Sequence, residues 1–195
     1  MRKMSFILLL GLLMSLSACT GGGMQEAKPI TLEEHFSMDV PENFRMRNDL
    51  HDFAPLQMAD EANGYFLLTI EESKIQLQQR QLFYSLADYA HFLETTMEMG
   101  YDTSHVSQRD TFELNNYQFQ TSDMYASIRA EDAPLEVYYH LTAIETKERF
   151  YQIIGWSRRS KASKMRAAML DIEQSFTELL SIPRETQQAS AFRPK

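Results

Sequence analysis

Apolar and polar positions alternate with a period of two along most of this chain and switch to a helical period twice. Between His35 and Val40 the apolar residues are Phe36, Met38 and Val40; Pro41 interrupts, and Phe44 and Met46 resume the alternation. Pro55 to Asp60 and Tyr65 to Glu71 predict two strands around Glu61-Ala62-Asn63-Gly64, where Asn-Gly is a strong hairpin signal. Ser85 with Asp88 three residues on resembles a capping box, and Leu86, Tyr89, Ala90, Leu93 and Met97 behind it share one helical face. Gly100 is the expected stop, because glycine enters the left-handed conformation cheaply.

Period two then returns. Thr103 to Leu114 and Tyr117 to Ile128 meet at Asn115-Asn116, a pair that tolerates positive φ. Leu135 to Thr146 and Arg149 to Trp156 meet at Lys147-Glu148, and a two-residue loop there sets Tyr139 opposite Trp156 and Leu141 opposite Ile154. The other face carries Tyr138, Ile144, Tyr151 and Ile153, so both sides of this sheet should be covered. Met165, Met169, Ile172, Phe176, Leu179 and Leu180 predict a closing helix ended by Pro183. The fold class that follows is α+β, an antiparallel β-sheet sandwiched between two α-helices, within residues 30–181.

The N-terminus follows a different pattern. Arg2 and Lys3 precede an apolar run from Phe6 to Leu16, broken only by the small residues Gly11 and Ser15, and then Leu16-Ser17-Ala18-Cys19. Charged, apolar, small is the order of a secretory signal peptide, and the run is short for a bilayer span. Cys19 is the only cysteine, and the tetrapeptide ending in it resembles the bacterial lipobox. That resemblance implies cleavage after residue 18, a diacylglyceryl thioether on Cys19 and an acyl (palmitate-type) group on the new N-terminus. Two or more chains anchor a protein stably, so membrane lipid becomes a partner through acylated Cys19. Residues 19–29 would be a flexible tether and 182–195 a polar tail. Thr20 stands where aspartate, in enteric bacteria, resembles an inner-membrane retention signal. The expected place is therefore the bacterial cell envelope, at the outer membrane facing the periplasm.

Loss of the leader removes two positive charges and moves the net charge from −8 to −10. A chain this acidic is a poor ligand for nucleic acid, whose affinity rests on Lys and Arg. With no second cysteine, intramolecular disulfides and thiolate metal sites are excluded.

The opening segment Phe36 to Phe44 (FSMDVPENF) and the closing Asp171 to Phe176 (DIEQSF), with the order hairpin, helix, antiparallel strands and helix between them, resemble the PsbP-like superfamily. Its members include the extrinsic photosystem II protein, a yeast nuclear-import factor that binds Ran and bacterial envelope proteins of the DcrB type. The resemblance covers about residues 30–180 and implies the fold; it carries over no functional residue.

Chemistry-bearing constellations are scarce. His35, His51, His91, His105 and His140 are dispersed, with no helical i, i+4 pair, and each reads as a surface or partly buried sheet residue. Glu71 and Glu72 adjoin on a strand and so point to opposite faces. No nucleophile elbow, P-loop or Rossmann fingerprint occurs. We therefore expect no catalytic residue, metal or cofactor. One cluster stands out: Arg158, Arg159, Lys161, Lys164 and Arg166 set five bases in nine residues at the start of the last helix. Exposed amides and basic side chains together make a candidate docking site for an anion or an acidic partner. Two functions remain open. One is a non-catalytic interaction or assembly module in the envelope, with a protein partner. The other is a carrier of an apolar or amphipathic ligand in a sheet-helix cavity lined by methionines.

Overall fold

The computed structural model describes residues 27–32, 35–82, 84–129 and 133–179. The leader, Cys19, most of the tether, Leu180, Pro183 and the tail lie outside the described residues. Among the described residues ten strands and three helices follow in order: β1 Ala27–Leu32, β2 Phe36–Pro41, β3 Arg45–Met46, β4 Leu56–Asp60, β5 Tyr65–Ser73, α1 Lys74–Gln79, α2 Leu86–Glu98, β6 Thr103–Leu114, β7 Tyr117–Ile128, β8 Leu135–Glu145, β9 Arg149–Arg158, α3 Ala162–Ser175 and β10 Thr177–Glu178. A 3₁₀ turn, Arg159–Lys161, leads into α3.

The main sheet is antiparallel throughout, in the order β3-β4-β5-β9-β8-β7-β6, and a small second sheet runs β1-β2-β10. Its registers follow the turns. Asn115 and Asn116 both adopt positive φ, which suits a two-residue hairpin between right-twisted strands. At Lys147-Glu148, Thr146 and Arg149 close the loop, and Tyr139 pairs with Trp156 and Leu141 with Ile154. Gly64 takes a φ of +66° in the Asn-Gly turn, where a side chain would be strained.

Period two sorts the sheet into two faces. On one lie Phe66, Leu68, Met124, Tyr139, Leu141, Ile154 and Trp156, partly covered by α2 through Leu93. On the other lie Leu67, Phe119, Tyr138, Ile144, Tyr151 and Ile153, against Met165, Met169 and Ile172 of α3 and Phe36, Met38 and Val40 of β2. The antiparallel sheet between two helices thus stands. Gly155 of β9 lets α3 approach closely, since a Cβ there would sit 2.5 Å from Met165 Cε and nearer still to Met169 Sδ.

Four details differ from the sequence reading. β1 begins at Ala27, inside the segment expected as tether, because it pairs with β2 from Ala27–Pro41 to Leu32–Phe36. The short helix α1, missed by pattern, continues directly from β5 and buries Leu77. Gly100 is not left-handed; α2 ends with Met99 in the right-handed region and the Gly100 N–H donating to Met97 O at 3.3 Å. α3 stops at Ser175, because Phe176 turns extended (φ −60°, ψ 132°) and Thr177–Glu178 pair with Ser37 and Phe36. Phe176 is still fully buried, stacked on Phe36 at 5.9 Å and edge-on to Tyr151 at 5.0 Å between ring centroids. Ser175 Oγ accepts from the Asp39 N–H at 2.7 Å. The opening segment and the last helix's end, which carry the resemblance, are therefore in contact.

Candidate functional site

The five basic residues do not form one patch. β9 runs to Arg158, two residues further than expected, so Arg158 is a strand residue paired with Val137. By the pleat it shares the α2 face with Trp156 and Val137. Arg159 goes the other way, pairing with Glu136 at 3.3 Å and lying over the Tyr125 ring. Lys161 donates to Asn63 O and lies over Tyr65. Arg166 is bound to Asp123 at 2.9 Å and to Asp110 at 3.5 Å. Acids distant in sequence thus neutralise two of the five bases, Arg159 and Arg166. Arg158 and Lys164 are exposed and make no ion pair among the described residues.

His140 reverses its sequence reading. It is 1% exposed, under α3, rather than on the surface. Its Nδ1 lies 2.7 Å from Asp123 Oδ1 and its Nε2 2.8 Å from Glu173 Oε1. Tyr138 donates to Asp123 at 2.6 Å, and Thr142 donates to Glu173. Burial alone would lower the imidazole pKa, but the hydrogen bonds and charges of Asp123 and Glu173 outweigh it and raise it to about 9. The ring is thus an imidazolium at neutral pH, and both N–H groups donate. Asp123 moves below its usual range: burial opposes ionisation, but His140, Tyr138 and Arg166 hold the carboxylate charged. An imidazolium engaged at both nitrogens can neither ligate a metal nor accept a proton. Its role is to tie β7, β8 and α3 together. The sequence did hold one signal, an acid (Glu173) inside the apolar stripe of α3.

The remaining titratable groups disperse as expected. Glu71 reaches His35 at 2.6 Å on one face, and Glu72 accepts from Tyr89 at 2.6 Å on the other. Among the described residues no group of three or more His, Asp or Glu is arranged to hold a metal, and no helix is long and apolar enough to cross a membrane.

What the α2 face does present is an incompletely covered apolar strip. A cleft of about 280 Å³ lies between α2 and the sheet, lined by Leu68, Ile70, Phe92, Met97, Tyr139 and Trp156 among others. A second, of about 420 Å³, lies between Phe66, Ile128, Leu135, Val137 and Arg158. Tyr139 and Trp156 line both. Methionines do not line this strip as expected, Met97 excepted: Met38, Met58, Met124, Met165 and Met169 fill the cores.

No protein-family model matches the sequence, and no curated protein matches it significantly. Solved structures do. The cyanobacterial PsbP (CyanoP) of Synechocystis sp. PCC 6803 aligns with a TM-score of 0.54 at 10% identity, over 84% of this chain and 98% of that one. LpqN, involved in cell envelope biogenesis of Mycobacterium tuberculosis, aligns with a TM-score of 0.50 at 12% identity, over 79% and 91%. At such identities the likeness is one of fold, and it agrees with the order of elements, the two-sided sheet and the contact between the opening strand and the closing helix: the chain has the PsbP-like fold.

Proposed function

We propose that this chain is a lipid-anchored protein of the bacterial cell envelope that works by binding and not by catalysis. Acylated Cys19 is the anchor, residues 1–18 are removed, and the domain contacts an envelope partner. The observation that carries the binding reading is the contrast between the two sheet faces. On the α3 side the polar groups with chemical potential (His140, Asp123, Glu173) are paired and buried. On the α2 side Phe66, Trp156, Ile128 and Leu135 remain partly exposed. Monomeric soluble domains rarely leave contiguous apolar surface open without a use. A role in the envelope gains support from the leader order and from LpqN, a protein of this fold involved in cell envelope biogenesis. Of the basic residues, Arg158 is the contact residue, since it alone faces this strip.

The test has two arms. Membrane-extracted protein should give an intact mass that starts at Cys19 with acyl mass added, and Cys19→Ala should leave the membrane fraction. Crosslinking from native membranes should then capture a defined partner in the wild type. Cys19→Ala protein that stays wholly with membranes would refute the anchor.

A further inference from the structure

The two clefts of the α2 face share Tyr139 and Trp156 in their linings, so that together they make a groove crossed by an aromatic ladder. Phe66 stacks on Trp156 at 5.2 Å and 13°, and Tyr139 on Trp156 at 6.1 Å and 27°. Cross-strand register makes this ladder: β5, β9 and β8 place Phe66, Trp156 and Tyr139 in one row. The row beside it holds Val137 and Arg158, and beyond it Ile128 pairs with Leu135 at the rim.

The groove's dimensions select the occupant. The cleft of about 420 Å³ falls in the range of small-molecule sites and that of about 280 Å³ just below it. Arg158 to Gln152 is six residues along β9, about 20 Å at the strand rise. One acyl chain spans half of a ~30 Å hydrocarbon core, so it fits within that run. Charge sets the head. Arg158 is exposed at one end of the groove without an ion pair among the described residues, while Arg159, Lys161 and Arg166 turn to the opposite face. Its planar guanidinium matches a carboxylate bidentately.

We infer that this groove binds a fatty acid, its carboxylate at Arg158 and its alkyl chain along β9 towards Gln152, crossing the Phe66–Trp156–Tyr139 ladder at Trp156. The inference rests on the envelope-binding reading, since it names the ligand of the same exposed face. It does not depend on how the chain is anchored.

Trp156 is the only tryptophan in the chain, so its emission reports the groove alone. The full chain, held in bilayer discs of neutral lipid, is titrated with bromine-tipped dodecanoate and with the bromine-tipped alcohol of the same length. Contact with bromine quenches tryptophan. The wild type should show saturable, one-site quenching by the carboxylate. Arg158→Glu should weaken the carboxylate by about tenfold or more and leave the alcohol unchanged. Leu135→Asp, at a residue 40% exposed, should weaken both probes without unfolding the domain. Equal affinity of wild type and Arg158→Glu for the carboxylate would overturn the proposal. So would quenching that rises linearly in all proteins, which is partition into lipid alone, or a crosslinked second copy that shields Trp156 from both probes. Failure here with correct Cys19 acylation would sink the ligand and spare the anchor.

Discussion

The buried imidazolium should make stability fall on the alkaline side of neutrality, where an ordinary acidic domain would change little. His140 faces Asp123 of β7, Glu173 of α3, and Tyr138 and Thr142 of its own strand, and Arg166 of α3 reaches it through Asp123. Its folded pKa is raised to about 9 from 6.5. A base whose pKa rises on folding contributes stability that is fully present below the unfolded value and lost as pH climbs through the folded one. The gap corresponds to about 3 kcal/mol for a fully buried group. Unfolding free energy should therefore drop by about that amount between pH 6.5 and 9. Urea unfolding of the full chain, followed by Trp156 emission, measures it. His140→Gln should remove the slope and cost about 3–5 kcal/mol at pH 7, because buried Glu173 loses its counter-charge and Asp123 keeps only Arg166. Should that variant not fold, the imidazole's titration in the wild type can be followed by NMR through the same range. Equal stability at pH 6.5 and 9, or an imidazole that titrates near 6.5, would refute the reasoning.

Three further changes test the packing by the same urea assay. Phe176→Ala should cost about 3–5 kcal/mol, since the ring is fully buried among Phe36, Tyr117 and Tyr151; a loss of a few tenths would mean that the end of α3 does not dock there. Gly155→Ala should cost about 1–3 kcal/mol by forcing Met165 and Met169 away from the sheet, and a stabilised variant would deny the close approach. Ser85→Ala should cost about 1 kcal/mol, because the Ser85 side chain accepts from the Asp88 N–H at 3.2 Å and Asp88 returns the bond to the Ser85 N–H.

Much of the fold was legible because it rests on local rules. β6 and β7 fall where alternation placed them, and Asn115-Asn116 and Lys147-Glu148 set the registers their lengths demand. The helix end was less legible. Phe176 continues the 3.6-residue stripe of α3, yet the chain leaves the helix there to pair with β2, and tertiary pairing overrides periodicity. The site was least legible of all. His140 looked like a strand residue beside Thr142, and only the acid at Glu173, 33 positions away, reveals what it is for. Gly155 inside a strand did mark a close approach, a signal that pattern alone leaves without a partner.

The basic run shows why charge clusters on strands mislead. β9 ends at Arg158 and Arg159 opens the 3₁₀ turn, where Glu136 and Tyr125 take it to the opposite face, so the two do not share a ligand. The turn and helix that follow send Lys161 and Arg166 to the α3 face, where Asn63 and Asp123 occupy them. That face is closed a second time by β2, whose Phe36, Met38 and Val40 are buried. The other face is covered by α2, thirteen residues long, with Leu77 of α1 and Ala54 beside it, which leaves Phe66, Ile128 and Leu135 uncovered and Trp156 only half-buried. A binding function on this fold therefore has one apolar face left to use, and Arg158 is the basic residue of the cluster that the pleat delivers to it.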